Sequence, residues 1–506
     1  MALSLVLLFF FGFLPALAPA QETAKPALAS AVSGIWLGTV HAGPQTLRVQ
    51  VHLQADTEGG LTCVVDSIDQ HRFGIPCSNV LVNGALVSFD VPTVGGKWTG
   101  AISSDGKTLT GTWTQGRPLP LVLERQETAI EPPKAAPPAP PDPAIPPVAL
   151  TDLKPILDHD LAATLKEGAL APATNAGVTI GVIERGERRI FTYGTAKEDS
   201  VFEIGSITKT FTALILAQMV EQGAVQLDEP VRELLPPGTV AEPATGAEIT
   251  LLDLSDQHSG LPVMPDNFHP AHPENPYADY DARLLYEYVA NHGVALPTNA
   301  PFGYSNLGMG LLGQALSNRA HVPYPVLLHE QVTGPLNMSD TAVVLTPTMQ
   351  TRFIQGYYPN HHPAHAWDID ALAGAGAIRS TAADMLTYLE AQLHPDRLPA
   401  SVLAQPNGKT LPAAIAKCHV IHSDAGGGMH RGSHIALNWF RIDETGSYWH
   451  DGGTGGYSAY ALFNPDKDFA VIVLSNTNVV PNSIAYKLGQ HIAQRLSGLP
   501  AVSLAP

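Results

Sequence analysis

A serine and a lysine three residues apart stand at the start of an apolar segment. Ser206 and Lys209 precede a stretch that stays apolar on nearly every side as far as Val220, which predicts a buried helix ending near Gly223. Residues at this spacing share one helix face. The positive helix N-terminus and burial should both lower the pKa of Lys209, so that it can act as a base towards the Ser206 hydroxyl. By itself, the spacing also fits a serine N-cap followed by an exposed lysine.

A tyrosine and an asparagine two residues apart form a second candidate group. Tyr304 and Asn306 flank Ser305, after a Pro/Gly-rich approach and before an apolar helix predicted at 309–316. This places the tripeptide on a loop or at a helix start, where side chains can point into a cleft. There a tyrosine can relay protons, and an asparagine can donate to and accept from an amide. Alone, such a tripeptide in a turn is ordinary.

A histidine in front of a run of glycines forms the third group. His450 ends a predicted strand, and Gly452, Gly453 and Thr454 follow it closely. Glycine permits close approach of a ligand to backbone N–H groups, as an oxyanion hole requires. His450 could donate to a substrate carboxylate or share a proton. A glycine-rich hairpin with a surface histidine is the alternative interpretation.

Together, in this order, the three groups resemble the S-x-x-K, Y-x-N and K-T-G motifs of class C β-lactamases and related D-alanyl peptidases. Three further segments are similar to this family: Leu-Asp-Glu-Pro-Val at 227–231, His-Ser-Gly-Leu-Pro at 258–262 and Gly-Ala-Gly-Ala-Ile-Arg-Ser-Thr at 374–381. The resemblance covers roughly residues 150–500. It says nothing certain about 31–125.

The resemblance implies a catalytic centre of four residues. Ser206 attacks the carbonyl and forms an acyl-enzyme, while Lys209 and Tyr304 shuttle the proton to the leaving nitrogen and later from water. His450 completes the centre.

The same resemblance implies three substrate-binding residues. Asn306 holds the substrate amide, Gly453 stabilises the oxyanion through its N–H group together with that of Ser206, and Thr454 completes the binding set.

The sequence departs from the family pattern at two positions. His450-Asp451-Gly452 replaces Lys-Thr-Gly, and Gln257 stands first in the loop that usually reads His-Thr-Ser-Gly-Leu. The imidazole of His450 replaces a permanently charged ammonium that binds carboxylates. This replacement favours a peptidase or esterase-like relative over an efficient β-lactamase. The Phe-Glu-Ile-Gly-Ser and Gly-Gly-Thr-Gly-Gly-Tyr contexts look most like the D-alanyl-D-alanine carboxypeptidase/endopeptidase branch.

Three functions remain open at this level. The first is hydrolysis of amide bonds in D-alanyl peptides and/or β-lactams through an acyl-enzyme. The second is an esterase acting on short acyl esters, for which no carboxylate-gripping group is needed. The third is a non-catalytic, peptide-binding relative, against which the intact Ser206, Lys209 and Tyr304 argue.

The elements that must position these residues alternate between strand and helix. A hairpin is predicted from 177–183 and 189–193, a long helical middle follows, and strands are predicted at 435–442, 446–450, 457–463 and 469–474 before a last helix at 483–496. Strands from both chain ends around a helical middle predict an α/β (α+β) fold: an antiparallel sheet flanked by helices, with a helical subdomain. The resemblance implies a β-lactamase/transpeptidase-like arrangement. An amphipathic helix is also predicted at 153–165.

The preceding part of the chain is predicted to be organised differently. Residues 1–20 are typical of a signal peptide, which predicts export to the periplasm or secretion. Short alternating strands over 31–125 predict a small all-β accessory domain, either a barrel or a sandwich. Nine of the sixteen residues from 132 to 147 are proline, so 126–149 is predicted to be a linker ahead of a hydrolase domain at 150–500. Cys63 and Cys77 either form a disulfide or remain two free thiols.

Composition narrows the class of partner. The chain of 506 residues has a formal net charge of -18, with 45% hydrophobic and 15% charged residues, which indicates a folded acidic protein. Such a surface repels nucleic acid and anionic lipid. We therefore expect a small-molecule or peptide substrate such as cell-wall peptide, no nucleic acid and no integral membrane segment after signal cleavage. Neither a cofactor nor a metal is expected.

Overall fold

The computed structural model describes residues 31–42, 45–55, 60–70, 72–115, 117–131, 145–426, 432–478 and 483–505. The predicted signal peptide and most of the predicted linker lie outside these residues. The chain divides into two compact units, Met1–Pro140 and Pro141–Pro506. Within the described ranges, no helix has the length and apolar character that crossing a membrane requires.

The N-terminal unit is one antiparallel sheet in the strand order β4-β3-β2-β1-β9-β8-β7-β6-β5. Its strands are β1 (Gly34–Ala42), β2 (Gln45–Ala55), β3 (Leu61–Ser67), β4 (Arg72–Pro76), β5 (Ser78–Asn83), β6 (Leu86–Val91), β7 (Gly96–Ile102), β8 (Thr108–Gln115) and β9 (Arg117–Gln126). The two outermost strands, β4 and β5, are separated in the chain only by Cys77, so the sheet must curve back on itself. This curvature favours the barrel over the sandwich, and the described residues include no strand pairing between β4 and β5.

Aromatic side chains fill the interior of this curved sheet. Trp36, Phe89 and Trp98 are buried, and the last two stack with ring centroids 5.5 Å apart. A disulfide joins Cys63 on β3 to Cys77, which decides between the two states that the sequence left open.

The C-terminal unit is built on an eight-stranded antiparallel sheet in the order β11-β10-β19-β18-β17-β16-β15-β14. These strands are β10 (Gly177–Glu184), β11 (Glu187–Gly194), β14 (Ser423–Asp424), β15 (Ser433–Ile435), β16 (Phe440–Ile442), β17 (Tyr448–Gly453), β18 (Ser458–Asn464) and β19 (Phe469–Ser475). A separate two-stranded sheet pairs β12 (Phe202–Glu203) with β13 (Arg379–Ser380).

Helices cover both faces of the large sheet. They are α1 (Leu150–Asp160), α2 (Ala162–Glu167), α3 (Thr208–Glu221), α4 (Leu251–Ser255), α5 (Ala282–His292), α6 (Asn306–Ala320), α7 (Tyr324–Leu328), α8 (Pro347–Gln350), α9 (Ala373–Gly376), α10 (Ala382–Leu393), α11 (Ala400–Leu403), α12 (Leu411–Cys418) and α13 (Ile484–Ser497). Short 3-10 turns lie at Pro92–Val94, Pro172–Thr174, Gly205–Ile207, Val231–Leu234 and Pro395–Arg397, and a π-helical turn at His329–Thr333.

Two apolar layers hold the C-terminal unit together. On one face of the sheet, α1 and α13 pack against β10, β18 and β19. On the other face, α10 and the helical middle pack around α3, which is buried over almost its whole length. A helix enclosed on all sides fits the apolar pattern that predicted it.

The predicted fold class, an α+β fold with a flanked antiparallel sheet after an all-β region, is confirmed. Two local predictions were wrong. Predicted strand 435–442 is two strands, because Asn438 takes a left-handed conformation (φ 58°) in a turn between β15 and β16. Predicted helix 153–165 is two helices, α1 and α2, that meet at Leu161. The predicted domain boundaries stay predictions.

Candidate active site

Ser206 lies in the 3-10 turn Gly205–Ile207, between β12 and α3, rather than in the first turn of the helix itself. This turn touches the glycine-rich end of β17. A Cβ atom on Gly205 (φ 51°) would lie 2.5 Å from Gly453 N, and one on Gly452 would lie 2.0 Å from Ile204 O and 2.9 Å from Ser206 N. Only glycines permit this approach, and Ser206 and Gly453 both line one pocket.

Lys209, in the first turn of α3, points back at Ser206. Its Nζ atom is 2.9 Å from Ser206 Oγ, 2.8 Å from Asn306 Oδ1 and 2.8 Å from the Ala375 carbonyl oxygen. The side chain is 0% exposed. Burial disfavours the ammonium and lowers the pKa of Lys209 to about 7, against the charge of Asp451, which raises it. The alternative of an exposed lysine is therefore wrong.

Tyr304 precedes α6, the helix that Ser305 caps by accepting a hydrogen bond from Gly308 N through its side chain (2.8 Å). The Tyr304 side chain is half-buried, and its ring centroid lies 4.8 Å from Lys209 Nζ. Burial raises the pKa of Tyr304, while a hydrogen bond with the Ser206 side chain lowers it. Tyr304 and Lys209 thus approach the same serine.

Asn306, the first residue of α6, is already engaged through its side-chain oxygen. Its Oδ1 accepts from Lys209 Nζ, and its Nδ2 lies 3.8 Å from Met264 Sδ. Asn306 also lines the pocket beside Ser206. The residue therefore connects the base to the pocket.

His450, on β17, is 1% exposed, which rules out a surface histidine. Its ring lies against Phe440 and Tyr304, with centroids 5.5 and 6.5 Å away. Its Nδ1 is 2.6 Å from the Asp451 carbonyl oxygen. Because a carbonyl can only accept, Nδ1 carries the hydrogen, and in the neutral ring the lone pair is on Nε2.

Asp451 is a charged neighbour whose importance the sequence did not reveal. Burial raises the pKa of its carboxyl group, and the Lys209 charge lowers it. Its own charge raises the pKa of Lys209. The family pattern has threonine here, so the Asp451 carboxylate adds negative charge beside the base.

A pocket opens next to Ser206. Its walls are formed by Ser206, Tyr277, Asn306, Trp367, Ile369, Leu372, Ala375, Gly376, Gly453 and Thr454. The rings of Tyr277 and Trp367 lie 5.1 Å apart and form an aromatic wall. Thr454 is 3% exposed, so it contributes little of its side chain to the opening.

Glu203 and Arg379 hold the aromatic wall in place. Glu203 Oε1 accepts from Trp367 N (2.9 Å) and from Arg379 (3.2 Å), and Arg379 also donates to the Trp367 carbonyl oxygen (2.5 Å). Sequence analysis missed Tyr277 and Trp367, since single aromatics in loops carry no periodic signal. Glu203 belongs to the Phe-Glu-Ile-Gly-Ser segment that resembles the family. That resemblance was the sequence signal that could have indicated a residue near the site.

The structure thus brings together seven residues from three distant parts of the chain: Ser206, Lys209, Tyr304, His450, Asn306, Gly453 and Thr454. Chemically, a hydroxyl next to an amine of lowered pKa can attack a carbonyl, and backbone N–H groups in the same pocket can stabilise the oxyanion that forms. The roles of the individual residues stay predictions.

Comparison with known proteins identifies similar sequences and a similar fold. The model of the family described as Beta-lactamase matches residues 167–493. The D-alanyl-D-alanine-carboxypeptidase/endopeptidase AmpH of Escherichia coli (strain K12) is 28% identical over 313 residues, covering 59% of this chain and 78% of that protein. A β-lactamase of Pseudomonas fluorescens is 25% identical over 386 residues, covering 68% and 98%.

A similar fold is seen in a crystal structure of a class C β-lactamase from Rhodobacter sphaeroides. The TM-score is 0.54 with 22% sequence identity, over 67% of this chain and 97% of that one. The family match begins after residue 166, so it does not include the N-terminal curved sheet.

Proposed function

Because the chain belongs to the β-lactamase family and is a serine hydrolase of the β-lactamase type, we propose that it works through an acyl-enzyme on Ser206. Ser206 Oγ attacks the substrate carbonyl as Lys209 removes its proton. The N–H groups of Ser206 and Gly453 stabilise the oxyanion. Tyr304, next to His450, passes the proton to the leaving group and later takes one from the attacking water.

The arrangement around the Lys209 amine carries this proposal. Asn306 Oδ1 and the Ala375 carbonyl oxygen can only accept hydrogen bonds, so they take both N–H hydrogens of a neutral amine. The remaining lone pair then faces the Ser206 hydroxyl at 2.9 Å. With a pKa lowered to about 7, this neutral form is well populated near neutral pH. The amine is thus oriented as a base for one hydroxyl.

The proposed substrates are amide bonds in D-alanyl peptides and/or β-lactams, with cell-wall peptide as the natural partner. In this mechanism Asn306 and Thr454 contribute to holding the substrate. The similarity to a D-alanyl-D-alanine-carboxypeptidase/endopeptidase supports this class. We also propose that the protein is exported to the periplasm or secreted, because its first twenty residues have the pattern of a signal peptide.

Hydrolysis of short acyl esters is the second candidate, and two observations favour it. A buried imidazole, His450, stands where the family pattern has a permanent ammonium. Asp451 follows it and adds a carboxylate close to Lys209. Both changes reduce the positive charge that would attract a carboxylate-bearing substrate. Neutral esters do not need that charge.

The test is turnover of a chromogenic cephalosporin, a D-Ala-D-Ala peptide and p-nitrophenyl acetate side by side, with covalent labelling by fluorescent penicillin or a fluorophosphonate. Ser206→Ala should abolish both labelling and turnover. Labelling of Ser206→Ala at the wild-type rate would contradict the proposed nucleophile. A folded wild-type protein that turns over none of the substrates and takes no label would favour a non-catalytic, peptide-binding relative.

A further inference from the structure

Gln257 is the first residue of the loop 257–261, and it is buried. Its backbone carbonyl oxygen and both polar atoms of its side-chain amide form hydrogen bonds with other segments. It is 1% exposed and holds a left-handed conformation (φ 67°). Its carbonyl oxygen accepts from Gly303 N (2.8 Å), and its Oε1 accepts from Ser305 N (2.7 Å). Gln257 therefore holds the backbone on both sides of Tyr304.

The amide nitrogen of Gln257 is hydrogen-bonded to a turn between two strands of the large sheet. Gln257 Nε2 donates to Asn438 Oδ1 (3.0 Å), in the turn between β15 and β16. Asn438 is also buried, and it donates to the Ser255 carbonyl oxygen (2.5 Å). The amide orientation of Gln257 is thus determined, since Oε1 must face a donor and Nε2 an acceptor.

Among the described contacts, the Tyr304 side chain meets Ser206, Lys209 and the ring of His450 on β17, and the contact with His450 is a ring contact with centroids 6.5 Å apart rather than a hydrogen bond. The position of its hydroxyl therefore depends on where its backbone is held. An error of about 1 Å at a catalytic group costs on the order of 100-fold in rate.

We propose that Gln257 is a positioning residue for Tyr304: it fixes the tyrosine hydroxyl at Ser206 by binding the N–H groups of both neighbouring residues. This inference rests on the proposed function, because it assigns Gln257 a part in the same acylation step. The residue corresponds to one of the two departures from the family pattern. In this role Gln257 acts through Tyr304, and it is not among the residues that line the pocket beside Ser206.

The experiment is a double-mutant cycle on acylation by a chromogenic cephalosporin, whose leaving nitrogen needs the proton that Tyr304 supplies in the proposed mechanism, using the full chain. Gln257→Met preserves side-chain length but removes both amide hydrogen bonds. We expect it to lower the acylation rate about 100-fold in the wild-type background. In the Tyr304→Phe background, which lacks the hydroxyl to be positioned, it should change the rate by no more than about twofold, the usual limit of additivity.

Gln218→Met is the matched control. Gln218 is a buried glutamine on α3 whose Nε2 donates to the carbonyl oxygens of Gln331 and Asn407, both at 3.0 Å. The variant should lower the thermal midpoint and leave the acylation rate unchanged. If Gln257→Met does not fold, Gln257→Glu enters the same cycle; it retains the acceptor for Ser305 N and loses the donor to Asn438, so we expect a coupling of the same sign and smaller size.

The outcomes separate this inference from the proposed function. Equal rate losses in the wild-type and Tyr304→Phe backgrounds would overturn the positioning role while the hydrolase stands. A rate loss in Gln218→Met as large as in Gln257→Met would also overturn it, since general destabilisation would then suffice. A wild-type protein acylated no faster than Ser206→Ala would overturn the proposed function and this inference with it.

Discussion

In the proposed mechanism Lys209 acts as a base only while its amine is neutral, so we expect its pKa to set the pH dependence of acylation. Because burial lowers this pKa to about 7, kcat/KM should rise with pH below about 7 and level off above it. Lys209→Arg retains the charge but stays protonated, so it should lose at least about 100-fold in rate and the rise near pH 7. Stopped-flow acylation from pH 5.5 to 9 measures both. A variant that retains more than half the rate would exclude Lys209 as the base.

His450 is the residue at which preference for carboxylate-bearing substrates should change. His450→Lys places a positive charge beside Tyr304, where Asp451 is the neighbouring acid. We expect the ratio of kcat/KM for a cephalosporin to that for p-nitrophenyl acetate to rise about tenfold, a modest electrostatic gain of roughly 1.4 kcal/mol. His450→Gln, which adds no charge, is the control. An unchanged ratio in a folded His450→Lys that is still labelled at Ser206 would remove His450 from specificity.

At the scale of elements, the site depends on contact between the end of β17 and the turn before α3. In the proposed mechanism both elements are needed, because the turn supplies the nucleophile and the strand supplies the second backbone N–H group. The contact is so close that a methyl group on Gly452 would overlap the Ile204 carbonyl oxygen at 2.0 Å. Packing at this junction therefore determines the geometry of the oxyanion site.

Gly452→Ala tests this junction. The added methyl group must push β17 away from the Ser206 turn, which separates the two N–H groups. We expect kcat to fall about 100- to 1,000-fold, as when an oxyanion donor is lost. Gly223→Ala is the control, since Gly223 (φ 70°) has no atom within 4 Å of a Cβ and lies beyond the end of α3. It should cost stability and no activity; normal turnover by Gly452→Ala would disprove the oxyanion assignment.

At the scale of the whole molecule, the residues proposed to be catalytic all come from the unit Pro141–Pro506. The family match also falls within this unit. The N-terminal unit has its own aromatic core and its own disulfide. Each unit therefore has the internal packing of an independent domain.

A chain starting at Pro141 should fold and turn over p-nitrophenyl acetate at the full-length rate. This start retains Val148, whose N–H donates to Arg495 O (2.9 Å), and Leu150, whose N–H donates to Glu184 (2.8 Å). The measurement is kcat/KM for both chains, with circular dichroism and size-exclusion chromatography to check folding. Loss of activity in a folded, monodisperse truncation would mean that the N-terminal unit completes the site, against the predicted accessory role.

The sequence alone was sufficient for features that depend on neighbouring residues. Spacing and backbone preference within a few residues predicted the helix after Ser206 and the hairpin of β10 and β11. They also predicted the close backbone approach that the glycines before Thr454 permit. Such patterns are local, so they are readable without knowing what packs against them. They predicted the fold class, and the resemblance of the three motifs to class C β-lactamases implied which residues belong to one site.

Only the tertiary structure decided which distant segments meet. Four features of the site join residues far apart in the chain. They are the acceptors around Lys209, the aromatic wall of Tyr277 and Trp367, the charge of Asp451, and the hydrogen bonds of Gln257 to both neighbours of Tyr304. No periodicity records these contacts, because they are set by how the whole apolar core closes around α3. For the same reason, sequence analysis could predict that Lys209 would be a base, but not which oxygens would orient its lone pair.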